Sequence, residues 1–221
     1  MQKFDTPAPV SAIVDIPAGR IQFIAADRAD TTVEVLPANR SKSRDVKAAA
    51  QVRVDYADGV LRVEAPEAKN RILGSTGSVE VTVQVPAGSR VEAKAAAAEF
   101  RGVGRLGDVT FEGGHRSVKL DEADTVRLAG LEADIAVGRL NGSAEISTQK
   151  GGLTIGEAAR GTLTLSTLMG DITVGAAPGV SASLDAGTTH GRVGNTLKND
   201  GTTGLTIHAT TAHGDIAAHS L

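Results

Sequence analysis

The sequence predicts an all-β fold, a parallel β-solenoid (β-helix) of short coils, on three observations. The stretch from Thr162 to Gly175 reads as two short strands, Leu163–Ser166 and Asp171–Val174, in which apolar residues alternate with Thr, Ser or Asp. Alternation at period two marks a strand with one face buried. Its outline then returns in Leu184–Val193 and Ile207–Ile216, each closing on His-Gly. Aromatic residues make up only 2% of the 221 residues, so Val, Ile, Leu and Ala must build the core, and a thin core suits stacked coils.

Taken in order, Val10–Ile16 and Arg20–Ala25 alternate as strands on either side of the turn Pro17-Ala18-Gly19. Asp27–Asp30 is a polar loop, Thr31–Leu36 a strand, and Pro37–Arg44 a loop. Asp45–Gln51 is the one plausible helix, two turns at most, with Ser43 in the capping position. Val52–Tyr56 and Val60–Ala65 flank Ala57-Asp58-Gly59, a hairpin signal because Asp-Gly accepts positive φ. A basic loop follows from Pro66 to Gly77, then the strand Ser78–Val85. Residues 1–90 are thus expected to be a β-rich portion and cap, continuous with repeats over 91–221.

The repeat aligns Ala98, Arg116, Ala133, Gly151, Gly170, Gly191 and Gly214 at a second corner, in steps of 18, 17, 18, 19, 21 and 23 residues. Gly151, Gly170, Gly191 and Gly214 are the expected structural corners, where glycine permits backbone angles that a Cβ forbids. The preceding column holds His115, Glu132, Lys150, Met169, His190 and His213. His190 and His213 would be stacked corner residues, with a shared divalent metal as the sharper reading. In the following column, Asp171, Arg192 and Asp215 would alternate in charge as a ladder. The end at Ala209–Leu221 is expected to need cover, from the tail, from Leu197–Gly204 or from a second copy.

Net charge is −3 with the signs well mixed, which argues against nucleic acid as a partner. Cysteine is absent, which excludes disulfides, thiolate metal sites and Cys nucleophiles. No run reaches the length that membrane insertion needs, and no leader-like stretch opens the chain, so a cytoplasmic location is expected. Gly102-Val-Gly104-Arg-Leu-Gly107 matches a dinucleotide fingerprint by letter, but a strand, Asp108–Phe111, follows where a helix is required. Acids are scattered rather than paired, so no catalytic residue, cofactor or bound metal is expected. The many Thr residues of the later units read as β-propensity on a half-buried surface.

Phe4-Asp5-Thr6-Pro7, Asp45–Ala49 running into Val52–Gly59, Gly77–Thr82 with Val85–Val91, Gly170–Val174 and His213–Ile216 together resemble the bacterial putative-adhesin family of β-strand-repeat proteins, in its actinobacterial form. The likeness spans nearly the whole chain. It departs where Gly-Asp-Ile/Val becomes Ala133-Asp134-Ile135, Gly151-Gly152-Leu153 and Gly191-Arg192-Val193. The resemblance implies a right-handed β-solenoid and no established chemistry. The expected function is a non-enzymatic scaffold or binding protein for a protein or cell-envelope ligand. A carbohydrate-active enzyme on the same fold, or a structural protein assembling through its ends, are the alternatives.

Overall fold

The computed structural model describes residues 1–66, 77–113 and 117–221, and its strands join one 17-stranded sheet that does not close on itself. The first part comprises β1 (Gln2–Asp5), β2 (Ser11–Ala26), β3 (Asp30–Pro37), α1 (Ser43–Gln51), β4 (Arg53–Ala57), β5 (Val60–Glu64) and β6 (Val79–Pro86). The predicted turn at Pro17-Ala18-Gly19 does not interrupt β2. Gly19, at φ +131°, carries the chain so close to Val79 that a Cβ would lie 1.8 Å from its carbonyl oxygen. Asp58 and Gly59 turn the β4–β5 hairpin at φ 51° and 76°.

The helix differs from expectation at its start. Ser43 is its first residue, Lys42 holds the cap position without a side-chain bond, and the Lys42 carbonyl accepts from the N–H groups of Asp45 and Val46. Asp45 is buried, and its carboxylate accepts the Ser78 N–H at 3.0 Å, which ties the helix to the start of β6. The basic loop of the sequence reading falls almost wholly outside the described residues, as do His115 and Arg116.

The long strands β7 (Arg90–Gly113) and β8 (Ser117–Ala129) pair in parallel, and β7 also lies parallel to β2. Shorter parallel strands follow: β9 (Asp134–Leu140), β10 (Ala144–Lys150), β11 (Leu153–Ala158), β12 (Gly161–Met169), β13 (Ile172–Ala176), β14 (Ala182–His190), β15 (Val193–Thr196), β16 (Leu205–His213) and β17 (Ile216–Ser220). One row runs β8, β10, β12, β16, β14, and a second runs β9, β11, β13, β17, β15.

Sequence order and spatial order part company here. The tier β16–β17 sits between β12–β13 and β14–β15, so the last strands of the chain are interior and the preceding pair is outermost. The predicted ladder order Asp171, Arg192, Asp215 is therefore corrected to Asp171, Asp215, Arg192. The outermost tier is 182–196 rather than 209–221, and the segment from Leu197 lies against it, Leu197 packing on the core and the Lys198 carbonyl accepting the Ala182 N–H at 2.9 Å. The physical reason lies in the inward positions. Leu205, Ile207, Ala209, Ile216 and Ala218 are fully buried in the interior tier, whereas the outer tier places Asn195 opposite Ala218 and leaves Val193 exposed.

The core is one continuous cluster of inward aliphatic side chains, as alternation requires. Aromatics, too, are placed inward. Phe23, Phe100 and Phe111 are fully buried and meet in sequence, Phe23 tilted at 47° to Phe100 with centroids 6.0 Å apart, and Phe100 stacked on Phe111 at 5.0 Å. The expectation of a purely aliphatic core is corrected at this end of the molecule. Phe4 of β1 meets Tyr56 of β4 at 5.3 Å, and both pack against the core. The antiparallel pairs β1–β3 and β4–β5 thus finish the end opposite β14–β15.

Candidate functional site

The most ordered side-chain constellation lies at the second corner. Glu132 pairs with Lys150, Lys150 with Met169, Met169 with His213 and His213 with His190, so Ala133 and the glycines that follow the other four lie in one column. Gly151, Gly170, Gly214 and Gly191 have φ of +129°, +153°, +150° and +159°. A Cβ on each would meet the carbonyl oxygen of the tier before it, on Ala133, Gly151, Gly170 and Gly214, at 2.2, 2.1, 2.1 and 1.9 Å. Neither conformation nor space admits another residue there.

Three residues before each of these glycines stands a threonine: Thr148, Thr167, Thr188 and Thr211. They form one column, Thr148–Thr167–Thr211–Thr188, on the inward face. The hydroxyls of Thr167, Thr211 and Thr188 donate to the carbonyls of Gly151, Gly170 and Gly214 at 3.1, 3.0 and 3.0 Å. Each of those carbonyls is the one on which the next glycine rests. The sequence reading assigns Thr167, Thr188 and Thr211 only to β-propensity on a half-buried surface and does not single out Thr148. The signal that finds them is Thr-x-x-Gly at every one of the four corners.

The residue after the glycine completes the unit. The Asp134 carboxylate accepts the Gly152 N–H at 2.9 Å, Asp171 accepts Asp215 N–H at 2.8 Å, and Asp215 accepts Arg192 N–H at 2.8 Å. The Arg192 N–H, and then its guanidinium, hold the Asp215 carboxyl below its ordinary range. Asp30, bonded by Arg28 and then Lys3, is lowered to about 2.

His190 and His213 are stacked, centroids 4.6 Å apart and planes 10° apart. Imidazole lone pairs lie in the ring plane, so parallel stacked rings direct theirs along lines that do not converge on one ion. Among the described residues, no group of three or more His, Asp or Glu side chains is placed to hold a metal.

On the outer face of the first row runs a groove of about 550 Å³, lined among others by Arg90, Asp108, Thr125, Arg127, Glu145 and Thr162. It crosses successive tiers, which lie ~4.8 Å apart. Two of its acids have partners within it: Glu145 pairs with Arg127 at 2.8 Å, and Asp108 accepts from the Thr125 hydroxyl at 2.5 Å. Gly102–Gly107, the fingerprint look-alike, lies within β7, and a Cβ on Gly104 would meet the Ala25 carbonyl at 2.1 Å.

The fold is thus all-β, built largely of parallel tiers. It is similar to the crystal structure of a putative adhesin from Bacteroides fragilis, at TM-score 0.55 and 12% identity over 98% of this chain and 95% of the other. A putative adhesin from Parabacteroides distasonis matches at TM-score 0.47 and 16% identity, over 100% and 95%. A putative lipid binding protein from the same species matches at 0.41 and 13%, over 97% and 95%. No family model matches the chain, and no curated protein matches it.

Proposed function

We propose that the chain is a right-handed parallel β-solenoid acting as a non-enzymatic, adhesin-like binding protein, with residues 1–90 as its cap and 91–221 as its repeats. The groove on the outer face carries this reading. It crosses the hydrogen-bonded strands β7, β8, β10 and β12, and its acids are engaged with Arg127 or Thr125 rather than facing one another across a substrate. Glycosidic cleavage needs a general acid and a second carboxylate in facing positions. A surface of paired charges and hydroxyls instead suits an extended polar ligand, a cell-envelope glycan or a protein strand. The likeness to the B. fragilis putative adhesin supports the fold on which this rests.

The test is retention of envelope polysaccharide fragments and envelope proteins on the immobilised intact chain, compared with Arg127→Ala and Glu145→Ala. Retention that falls in both variants, without release of shortened glycan, is expected. Equal retention by variants and wild type would remove the groove from the argument. Appearance of new reducing ends would replace a binder with an enzyme.

A further inference from the structure

We infer that a second cavity, where the start of α1 meets β2, β6 and β7, is a binding site for a polyhydroxylated small molecule, a single neutral sugar ring. The cavity measures about 430 Å³, within the range of small-molecule sites. It shares no lining residue with the groove. Its best-anchored polar group is Asp45, in the first turn of α1 and only 5% exposed. One carboxylate oxygen accepts the Ser78 N–H at 3.0 Å, which leaves the other without a hydrogen bond among the described residues.

Strand register sets the facing wall. Arg20 of β2 lies between Glu80 of β6 and Glu99 of β7, each one strand spacing of ~4.8 Å away. The Nε of Arg20 donates to Glu99 at 3.2 Å, and its terminal N–H groups have no partner among the described residues. Asn39 accepts the Ser41 N–H through its carbonyl oxygen and keeps its amide donors free.

These groups select the ligand. Carboxylates only accept and a guanidinium only donates, so the occupant must offer donors to Asp45 and Glu80 and acceptors to Arg20 and Asn39. An amine brings no acceptor, and a carboxylate or sulfate brings no donor. A zwitterion has one charge of each sign at its two ends, whereas Glu80, Arg20 and Glu99 alternate acceptor, donor, acceptor across two strand spacings. Adjacent hydroxyls, each donor and acceptor at once, match that alternation. The small apolar lining at Ala18, Ala38 and Ala97 suits the C–H face of a sugar ring.

Backbone amide shifts of the intact chain, followed by NMR as glucose, galactose, mannose and N-acetylglucosamine are added in turn, test this. Saturable shifts confined to residues 18–20, 38–45, 78–80 and 97–99 are expected with at least one of the four. Glu80→Ala should weaken that sugar about tenfold, the loss of a hydrogen bond to a charged group. Ala97→Leu, which fills the cavity, should abolish the shifts while the rest of the spectrum stays folded. Arg127→Ala, in the groove, should leave them unchanged, so this site and the groove stand or fall separately. Ethanolamine, acetate and glycine should shift none of these amides. The inference is overturned if no sugar gives saturable shifts, or if a charged probe does so where the sugars do not. Sugar shifts that survive both Glu80→Ala and Ala97→Leu overturn it equally.

Discussion

The corner threonines and glycines act as one device, and each half can be tested alone. Thr167 is buried, with its hydroxyl on the Gly151 carbonyl. Thr167→Val keeps the shape but strands that acceptor, so a loss of about 1–3 kcal/mol is expected in urea unfolding. Thr164→Val, on the exposed face of the same strand, should stay within about 0.5 kcal/mol. Equal effects at both positions would show that the column of hydroxyls contributes nothing. For glycine the contrast is Gly170→Ala, which drives a Cβ to 2.1 Å from a backbone oxygen, against Gly187→Ala, which meets nothing within 4 Å. The first should cost at least about 1–3 kcal/mol. The second should be close to neutral by the same measurement. The acids belong to this scale too. Asp30 and Asp215 are both depressed, so each binds its proton more readily in the unfolded chain. Their contribution is present above the ordinary carboxylate range and is lost as pH falls through the folded value, about 2 for Asp30. Thermal unfolding followed from neutral pH downward should therefore show a smaller acid-induced drop in Asp215→Asn than in wild type.

At the scale of elements, alternation located β3, β4, β5, β6 and β13 within a residue or two, because a buried face at period two is written into the side chains themselves, whereas β1 and the full length of β2, β7 and β8 escaped it. The β4–β5 hairpin was legible for the same reason, Asp58-Gly59 supplying the positive φ that the turn requires. The start of α1 was misread because Ser43 has capping chemistry, yet the tie that matters is Asp45 to Ser78, a contact across 33 residues. Tier order was not legible from spacing, since units 161–176, 182–196 and 205–220 share one outline and pair in equivalent registers. The hint was compositional: Asn195 occupies an inward position where the interior tiers place Val174 and Ala218. At the candidate corner, the glycine column was visible as a letter at a fixed step, but the threonines were hidden by their own frequency on both faces. For the histidine pair, the stacked geometry leads to an experimental expectation. Addition of Zn²⁺ should raise the unfolding midpoint of wild type and His190→Ala by the same amount, whereas a rise confined to wild type would establish a shared ion.

For the whole molecule, the interior position of the last tier makes the order of assembly testable. Deleting residues 205–221 removes not the outermost layer but the one that holds it, since β14 and β15 pair only with β16 and β17 among the described residues. Two outcomes compete: the tier 182–196 melts, or it closes onto 161–176. The registers favour closure. Leu163 and Leu184 both align with Ile207, Met169 and His190 both align with His213, and Gly191 rests on the Gly214 carbonyl as Gly214 rests on that of Gly170. The linker 177–181 already reaches past one intervening tier, so the shorter step of ~4.8 Å lies well within its span. The shortened chain should therefore remain folded, with backbone amides of β14 protected from hydrogen exchange and Thr188 donating to Gly170. Complete loss of protection across Ala182–Thr196 in an otherwise folded protein would show that the inserted tier is not interchangeable with its neighbour. In that event the differences in inward side chains, and not the shared corner unit, would decide which tiers can stack.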